Sequence, residues 1–298
     1  MSEESMDAGW RSADLSEDDL RKKLELSKHD LVAADLSGIR LTKADLTDAN
    51  LMRIDMSQAQ LNGIDFRRSD MLGVKFMEAV LTDCKFTGSH LTQARFDDAK
   101  LVNIVLNGLQ LSNTSFRGAR FENCQINKSI LTKSDLANVE MVQCQFIQAD
   151  GTHSTFRGIQ ITDSDLSFIR LVRVDFRESE LNQVNFDSAN LNQTDFSVAT
   201  LENVNFKKAQ LGQSNFISTE LSGCDFSQAN LERSNFSETD MSGAKLDGAI
   251  LHGANLQNVE NLTAEQVNGA KIDKRTTLPH YLVVEWTSKT EFVCKSRD

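Results

Sequence analysis

Apolar side chains recur at every fifth position between Leu31 and Leu256. Each residue of this series is Leu, Phe, Met or Ile, with the single exception of Gly151. A second series, two positions before the first, holds mostly small or β-branched residues such as Ala34 and Ala44. The register holds from one end of the array to the other, so no insertion interrupts it.

A period of five fits neither an α-helix nor a flat strand. Five steps around a helix advance about 500°, which would scatter the large residues around the axis. Five steps along a strand would switch the face each time, because strand side chains alternate with period two. A chain that turns once per five residues keeps both series inside. Glycines two positions after the large residue, such as Gly38 and Gly63, favour a tight turn there because glycine tolerates positive φ.

The phenylalanines indicate how many sides each coil has. Phe alternates with Leu at every fifth position from Phe176 to Phe236. This alternation stacks Phe on Phe only if the number of sides is even, and a four-sided coil of about 20 residues satisfies it. Four cysteines agree, since they differ by multiples of this length and would share one inward column: Cys84, Cys124, Cys144 and Cys224.

The repeated pattern Ala-(Asp/Asn)-Leu-X-X, present at residues 44–48 and 189–193, resembles the pentapeptide-repeat family. The resemblance covers about three quarters of the chain. It implies an all-β solenoid, a right-handed quadrilateral β-helix of about 11–12 coils whose core is a ladder of Leu and Phe.

The segments outside the repeat predict a cap at each end. We expect residues 1–30 to form a tail and a capping helix, residues 31–256 the β-helix, and residues 257–298 a second capping helix and a tail. Ser16 is a good N-cap for a helix over about residues 17–29. Leu20 and Leu24 would share the helix face that packs on the first coil.

The C-terminal segment begins with a helix signal. Thr263 and Gln266 have the spacing of a capping box, which predicts a short helix through about Ala270. Beyond Pro279, residues 282–286 and 291–294 flank a polar turn and predict a β-hairpin. Its aromatic residues would either pack on the last coil or form a homodimer contact, for which the candidates are Trp286 and Phe292.

Candidate chemistry is sparse, and we predict no catalytic residue, metal site or cofactor. The inward cysteines occupy a slot that Ala and Ser also fill, where Cys behaves as a small hydrophobe. Cys124 and Cys144 would be close enough for a disulfide, which a reducing cytosol disfavours. The five His do not cluster with the cysteines, as a zinc site would require. Gly151 predicts a bulge or a cavity in the core, or alternatively a bend or a recognition feature.

Negative charge is concentrated in the C-terminal part of the repeat array. The chain has a net charge of -11, and residues 178–256 hold eleven acidic against four basic residues. This stretch is either a solvated surface or a surface that attracts a basic partner. The candidate acidic interaction surface consists of Glu178, Glu180, Asp187, Asp195, Glu202, Glu220, Asp225, Glu232, Glu238, Asp240 and Asp247.

These properties narrow the range of functions. Net negative charge opposes direct nucleic-acid binding. No apolar run is long enough to span a membrane, and the N-terminus lacks the features of a signal peptide, so we expect a cytoplasmic protein. The main hypothesis is a non-catalytic scaffold that binds an unknown protein partner. Two alternatives remain open: an enzyme with a site across the C-terminal tail, and a DNA mimic. The resemblance implies the latter, because some members of the family inhibit or protect a type II topoisomerase, DNA gyrase.

Overall fold

The computed structural model describes residues 16–297, and the N-terminal tail predicted before the first capping helix lies outside the described residues. The chain divides into two compact units, residues 1–150 (unit 1) and residues 151–298 (unit 2). In each unit a residue forms a parallel bridge with the residue 20 positions later, as Asp35 does with Asp55 and Asp165 with Asn185. The coils therefore have four sides of five residues each, and the predicted parallel β-solenoid is confirmed.

One side of most coils is regular enough to form a three-residue strand. In unit 1 these strands pair in parallel in chain order and comprise β1 (Arg40–Thr42), β2 (Gln60–Asn62), β3 (Val80–Thr82), β4 (Lys100–Val102), β5 (Arg120–Glu122) and β6 (Glu140–Val142). In unit 2 they comprise β7 (Gln160–Thr162), β8 (Glu180–Asn182), β9 (Thr200–Glu202) and β10 (Glu220–Ser222).

The corners lie where the glycines indicated. Gly38 has a φ of 70°, and the same left-handed conformation occurs at non-glycine corners such as Asp48, with a φ of 56°. Asp and Asn in front of the large residue support these turns: the Asp45 carboxylate accepts a hydrogen bond from the backbone N–H of Thr47 at 2.9 Å. Glycine is therefore favoured at a corner but is not required there.

Val198 is the corner residue least suited to this conformation. It has a φ of 61° and is 63 % exposed, so neither backbone preference nor burial favours a β-branched side chain. Because Asn tolerates the left-handed region, we expect Val198→Asn to raise the free energy of unfolding by about 1 kcal/mol. Chemical denaturation measures the gain. Val105→Asn is the matched control, since Val105 is exposed at a position without positive φ, and an equal gain there would contradict the explanation.

Stacked phenylalanines fill the core of each unit. In unit 1 the ring centroids of Phe76 and Phe96 are 5.1 Å apart, and in unit 2 those of Phe216 and Phe236 are 4.7 Å apart. Each pair joins residues 20 positions apart, so the alternation in the sequence predicted the stacking correctly. Polar residues in the small inward slot donate to backbone carbonyls, either three residues earlier, as the Ser89 hydroxyl does to the Phe86 carbonyl at 2.6 Å, or in the preceding coil, as the Ser129 hydroxyl does to the Leu106 carbonyl at 2.6 Å.

The prediction of a cavity or a bulge at Gly151 is wrong. A Cβ at this position would lie 2.6 Å from Leu171 Cδ2 and 3.6 Å from Phe156 Cε2, so neighbouring side chains already occupy the space. The backbone is also regular, since the Gly151 N–H donates to the Arg170 carbonyl at 2.9 Å and the carbonyl of Gly151 accepts from Ser154. The side chains of Leu171 and Phe156 occupy the space that a large residue at position 151 would fill, and the repeat continues in register.

Helix α1 (Glu17–Ser27) covers the start of unit 1 and ends two residues earlier than the sequence predicted. Ser16 is its N-cap, and its hydroxyl accepts a hydrogen bond from the backbone N–H of Asp19 at 3.2 Å. Leu20 and Leu24 are buried, and the helix contacts β1. The predicted capping of the first coil is therefore present.

Helix α2 (Ala264–Gly269) covers the last coil of unit 2. Its capping box forms as predicted, and the Gln266 amide also donates to the carbonyls of Met241 and Ala244 at 3.2 and 2.7 Å. These bonds satisfy acceptors that the end of the solenoid would otherwise leave unpaired. The coil geometry continues past the repeat sequence, because Lys271 bridges to Ile250.

The predicted hairpin is formed by β11 (Leu282–Trp286) and β12 (Phe292–Ser296), paired antiparallel. The Asn268 side chain in α2 bonds to both the N–H and the carbonyl of Cys294, at 2.8 and 3.0 Å. The Tyr281 hydroxyl donates to the Val259 carbonyl at 2.9 Å. The hairpin is thus attached to α2, and the segment before it to the last coil.

Candidate functional site

One face of unit 2 carries most of its unpaired negative charge. The face comprises the outward residues of β7–β10, the residues that extend this ladder through isolated bridges, and the corner residues beside the ladder. Residues 20 positions apart lie one above another, so the sequence fixes which carboxylates share the face. We call these residues the acidic face: Asp163, Glu178, Glu180, Glu202, Glu220, Glu238, Asp240 and Glu260.

The carboxylates of the acidic face are closely spaced. Glu220 bridges to Asp240, and Asp240 bridges to Glu260, so the three occupy consecutive rows at the strand spacing of about 4.8 Å. All members of the face are exposed except Asp240, which is half-buried. No Lys or Arg occupies the four outward columns of unit 2 that contain these residues. Like charges directly opposite each other on a sheet are destabilising.

Neutral donors provide most of the hydrogen bonds to this face. Glu178 is the exception, since Arg157 lies 2.5 Å from its carboxylate. Within residues 16–297, no basic group lies within 4.0 Å of the other seven carboxylates. Hydrogen bonds from Asn261 and Ser242 lower the pKa of Asp240, which keeps this carboxyl ionised.

The structure separates the predicted acidic surface into different sides. Six of the eleven predicted residues belong to the acidic face, and five lie on other sides: Asp187, Asp195, Asp225, Glu232 and Asp247. Asp225 is neutralised by Lys207 at 3.3 Å and by Lys245 at 3.8 Å. Although burial opposes ionisation, hydrogen bonds from Ser227 and Lys207 lower the pKa of Asp225.

Two members of the acidic face were missed from the sequence. Asp163 and Glu260 lie before and after residues 178–256, the stretch that holds the predicted acidic surface. Sorting residues by their position within the 20-residue coil, rather than by their distance along the chain, would have found both.

The same columns in unit 1 mix the two signs of charge. Arg120 pairs with Glu122 at 2.6 Å and with Glu140 at 3.0 Å, and Lys100 pairs with Glu122 at 3.3 Å. Segregation of negative charge is therefore a property of unit 2 and does not follow from the repeat itself.

The cysteines are free and buried. Burial raises the pKa of Cys84 and of Cys224 to about 12, and the Cys144 thiol together with burial raises the pKa of Cys124. Neutral buried thiols are poor nucleophiles and poor metal ligands. In the described part of the chain, no group of His, Cys, Asp and Glu is arranged to hold a metal ion.

The aromatic pair of the hairpin faces the same way as its buried residues. Trp286 and Phe292 lie opposite each other, with ring centroids 5.5 Å apart. Alternation along the strands places them on the side of buried Leu282 and Cys294. A homodimer contact through Trp286 and Phe292 stays a prediction. Neither helix within residues 16–297 has the length and apolar character needed to cross a bilayer.

Comparison with known proteins agrees with this architecture. A family model described as a pentapeptide repeat region matches residues 74–143 and 139–216. A model of pentapeptide repeats (8 copies) matches residues 30–68, 54–93 and 219–258. No curated protein matches the chain.

Solved structures similar to the chain include the following two, both of low sequence identity. One is HetL, a pentapeptide repeat protein from the cyanobacterium Nostoc sp. strain PCC 7120, with 21 % identity, a TM-score of 0.37, and coverage of 78 % of this chain and 96 % of that chain. The other is full-length QnrB1, a plasmid-mediated fluoroquinolone resistance protein, with 19 % identity, a TM-score of 0.32, and coverage of 70 % and 94 %. Because the family models together match most of the sequence, the chain belongs to the pentapeptide-repeat family.

Proposed function

We propose that this chain is a non-catalytic pentapeptide-repeat scaffold that binds a protein partner through the acidic face of unit 2. The observation that supports it is the set of exposed carboxylates in columns without Lys or Arg. A basic protein surface is the partner chemistry that such a face fits, because opposite potentials steer association and fix orientation.

The arrangement has a cost for folding that binding would offset. Glu220, Asp240 and Glu260 repel one another across consecutive rows, and no basic side chain within residues 16–297 relieves this repulsion by direct pairing. Unit 1 shows that the fold accommodates basic residues at equivalent positions, such as Lys100 and Arg120. The carboxylates of unit 2 are therefore not imposed by the architecture, which favours a role in recognition.

The backbone beneath the face is well suited to binding. Each row is bonded to the next, for example Glu220 N–H to the Ala199 carbonyl at 3.1 Å and Glu260 N–H to the Thr239 carbonyl at 2.9 Å. The charges are thus carried on a continuous ladder of backbone hydrogen bonds. A surface that is already ordered loses little conformational entropy when a partner binds.

Reversing charge on this face tests the proposal. We expect a variant with Glu202→Lys, Glu220→Lys and Glu238→Lys to lose the protein partner that the parent captures from a lysate of its source cell. The matched control carries Asp187→Lys, Glu232→Lys and Asp247→Lys, which change net charge equally on other sides of unit 2. Quantitative affinity capture compares the three proteins, with circular dichroism to show that each is folded.

The control decides the interpretation. Retention of the partner by the control variant together with its loss from the first variant supports the acidic face as the binding surface. Equal loss of the partner from both variants would show that only net charge matters. Equal retention by both variants would show that the acidic face does not bind the partner. Direct pairing of exposed charges also predicts weaker capture at higher ionic strength.

A narrower candidate is that the partner is a type II topoisomerase such as DNA gyrase. The acidic face supports it, because closely spaced negative charges on a regular ladder resemble those of a DNA backbone. A supercoiling assay with purified gyrase tests this candidate with the same two variants. Inhibition or protection by the parent and by the control, but not by the Glu202, Glu220 and Glu238 variant, supports it. No effect of the parent would reject gyrase as the partner and leave the scaffold proposal to the capture experiment.

A further inference from the structure

A cleft lies between the tip of the hairpin and the last coil of unit 2. Its volume is about 450 Å³, which falls within the range of small-molecule sites. Apolar side chains line part of it: Phe292 from β12 and Ala270 and Ile272 from the chain after α2. Ala270 and Ile272 are buried, whereas Phe292 is half-buried and presents part of its ring to the cleft.

The rest of the lining is polar and includes two lysines. Lys271, Lys289 and Thr290 are exposed, and half-buried His252, 3.7 Å from the Glu232 carboxylate, lies on the side of the solenoid. One lining carboxylate, Asp273, is already neutralised by Arg275 at 2.7 Å, and it accepts the Gly253 N–H at 2.9 Å. Among the described residues, no carboxylate lies within 4.0 Å of the ammonium group of Lys271 or Lys289.

The charge of this region contrasts with that of the chain. Residues 270–297 hold six basic and three acidic residues, whereas the whole chain has a net charge of -11. The cleft combines apolar side chains with two lysines, and its lysine charge is opposite in sign to the acidic face of the same unit. The ligand that complements it has both an apolar body and a negative charge.

We propose that this cleft binds a small amphipathic carboxylate of the medium-chain fatty-acid type. The apolar chain lies against Phe292, Ala270 and Ile272, where burial removes its surface from water. The carboxylate lies at Lys271 and Lys289, whose ammonium groups are donors without an acceptor role. The site is separate from the acidic face and does not depend on the protein partner.

Decanoate is the probe, and Trp286 provides the signal. Trp286 lies 5.5 Å from Phe292 between ring centroids, so a ligand against Phe292 changes its environment. The chain has two tryptophans, and Trp10→Phe leaves Trp286 as the single fluorophore. We expect decanoate, below its micelle concentration, to change the fluorescence saturably with one-to-one stoichiometry. Decanol, which has the same chain without the charge, should bind at least about tenfold more weakly.

Charge reversal identifies the residues. We expect Lys271→Glu with Lys289→Glu to weaken decanoate binding at least about tenfold, since attraction is replaced by repulsion. The matched control, Lys274→Glu with Lys208→Glu, changes the net charge equally at exposed lysines outside the cleft and should bind as the parent does. Circular dichroism melts confirm that both variants are folded.

Three results would overturn the proposal. They are a response that does not saturate, equal binding of decanol and decanoate, and equal weakening in the control pair. Phe292→Ala provides an independent check of the apolar wall against Val293→Ala, the adjacent exposed residue of the same strand. Binding lost only in the Phe292 variant supports the cleft, and binding kept by it would reject the cleft as the site.

Discussion

Replacing Phe206 by Asp is expected to unfold unit 2 under conditions in which the parent is folded. We expect the loss in free energy of unfolding to be at least about 5 kcal/mol, because the variant loses a buried ring and gains a carboxyl group without a partner. Total stabilities of protein domains are about 5–15 kcal/mol. Thermal and denaturant unfolding, followed by circular dichroism, measure the change.

The position of Phe206 in the core explains the size of this effect. Its ring is fully buried and stacks between those of Phe186 and Phe226, with centroids 5.4 and 4.9 Å apart. It also meets Phe196 and Phe216 edge to face, at 5.9 and 6.3 Å. One substitution therefore removes contacts to two stacks at once, and a carboxylate at the same place would face these four phenylalanine rings.

Two comparisons isolate the cause. Phe206→Leu keeps an apolar side chain and should lose only the aromatic contacts and part of the volume, about 1–3 kcal/mol. Lys208→Asp places a carboxylate two residues away at an exposed corner, where we expect a change within about 0.5 kcal/mol. Equal melting of Phe206→Asp and the parent would contradict the inward assignment of this series.

The second large effect is expected at Gly151. We expect Gly151→Leu to lower the free energy of unfolding by about 1–3 kcal/mol, because the space that the new side chain needs is occupied. A Cβ there would lie 2.6 Å from Leu171 Cδ2, and Phe156 is also within contact distance. Restoring the large residue that the repeat pattern calls for would therefore destabilise the protein.

A double variant tests whether Leu171 is the obstacle. Leu171→Ala alone should cost about 2–5 kcal/mol through the cavity that it leaves. In combination, Gly151→Leu fills space that Leu171→Ala vacates, so we expect the double variant to lose clearly less than the sum of the two single losses. Denaturant midpoints of the four proteins measure the coupling. Simple additivity would show that Leu171 does not occupy the place of the missing side chain.

The functional proposals concern surfaces of opposite charge in one unit. The acidic face lies along the side on which β7–β10 run, whereas the basic cleft lies at the end covered by α2 and the hairpin. Each has its own probe and its own charge-matched control. A failure of decanoate to bind would therefore not bear on the capture of the protein partner. A failure to capture a partner would likewise not bear on decanoate binding.

The sequence determined the solenoid because inward and outward positions follow from the five-residue period alone. The alternation of Phe and Leu required an even number of sides, and the ring centroids of Phe196 and Phe216, 5.1 Å apart, agree with four. Local signals determined the ends: Ser16 caps α1, and Thr263 caps α2. The hairpin was also predicted, since two short apolar segments around a polar turn have few other arrangements.

Only the tertiary structure showed which of these charges are paired and how the space between neighbouring segments is filled. Charge counted along the chain grouped Glu202 with Asp225, although one lies on the acidic face and the other is neutralised by Lys207. Neighbours in a solenoid are 20 residues apart, and the ion pairs they form depend on side-chain reach as well as on sequence distance. The filling at Gly151 depends in the same way on the rotamer of Leu171, which the repeat pattern does not specify. The cleft beside Phe292 arises only when the hairpin is attached to α2 through Asn268, because no local pattern encodes the space between two segments.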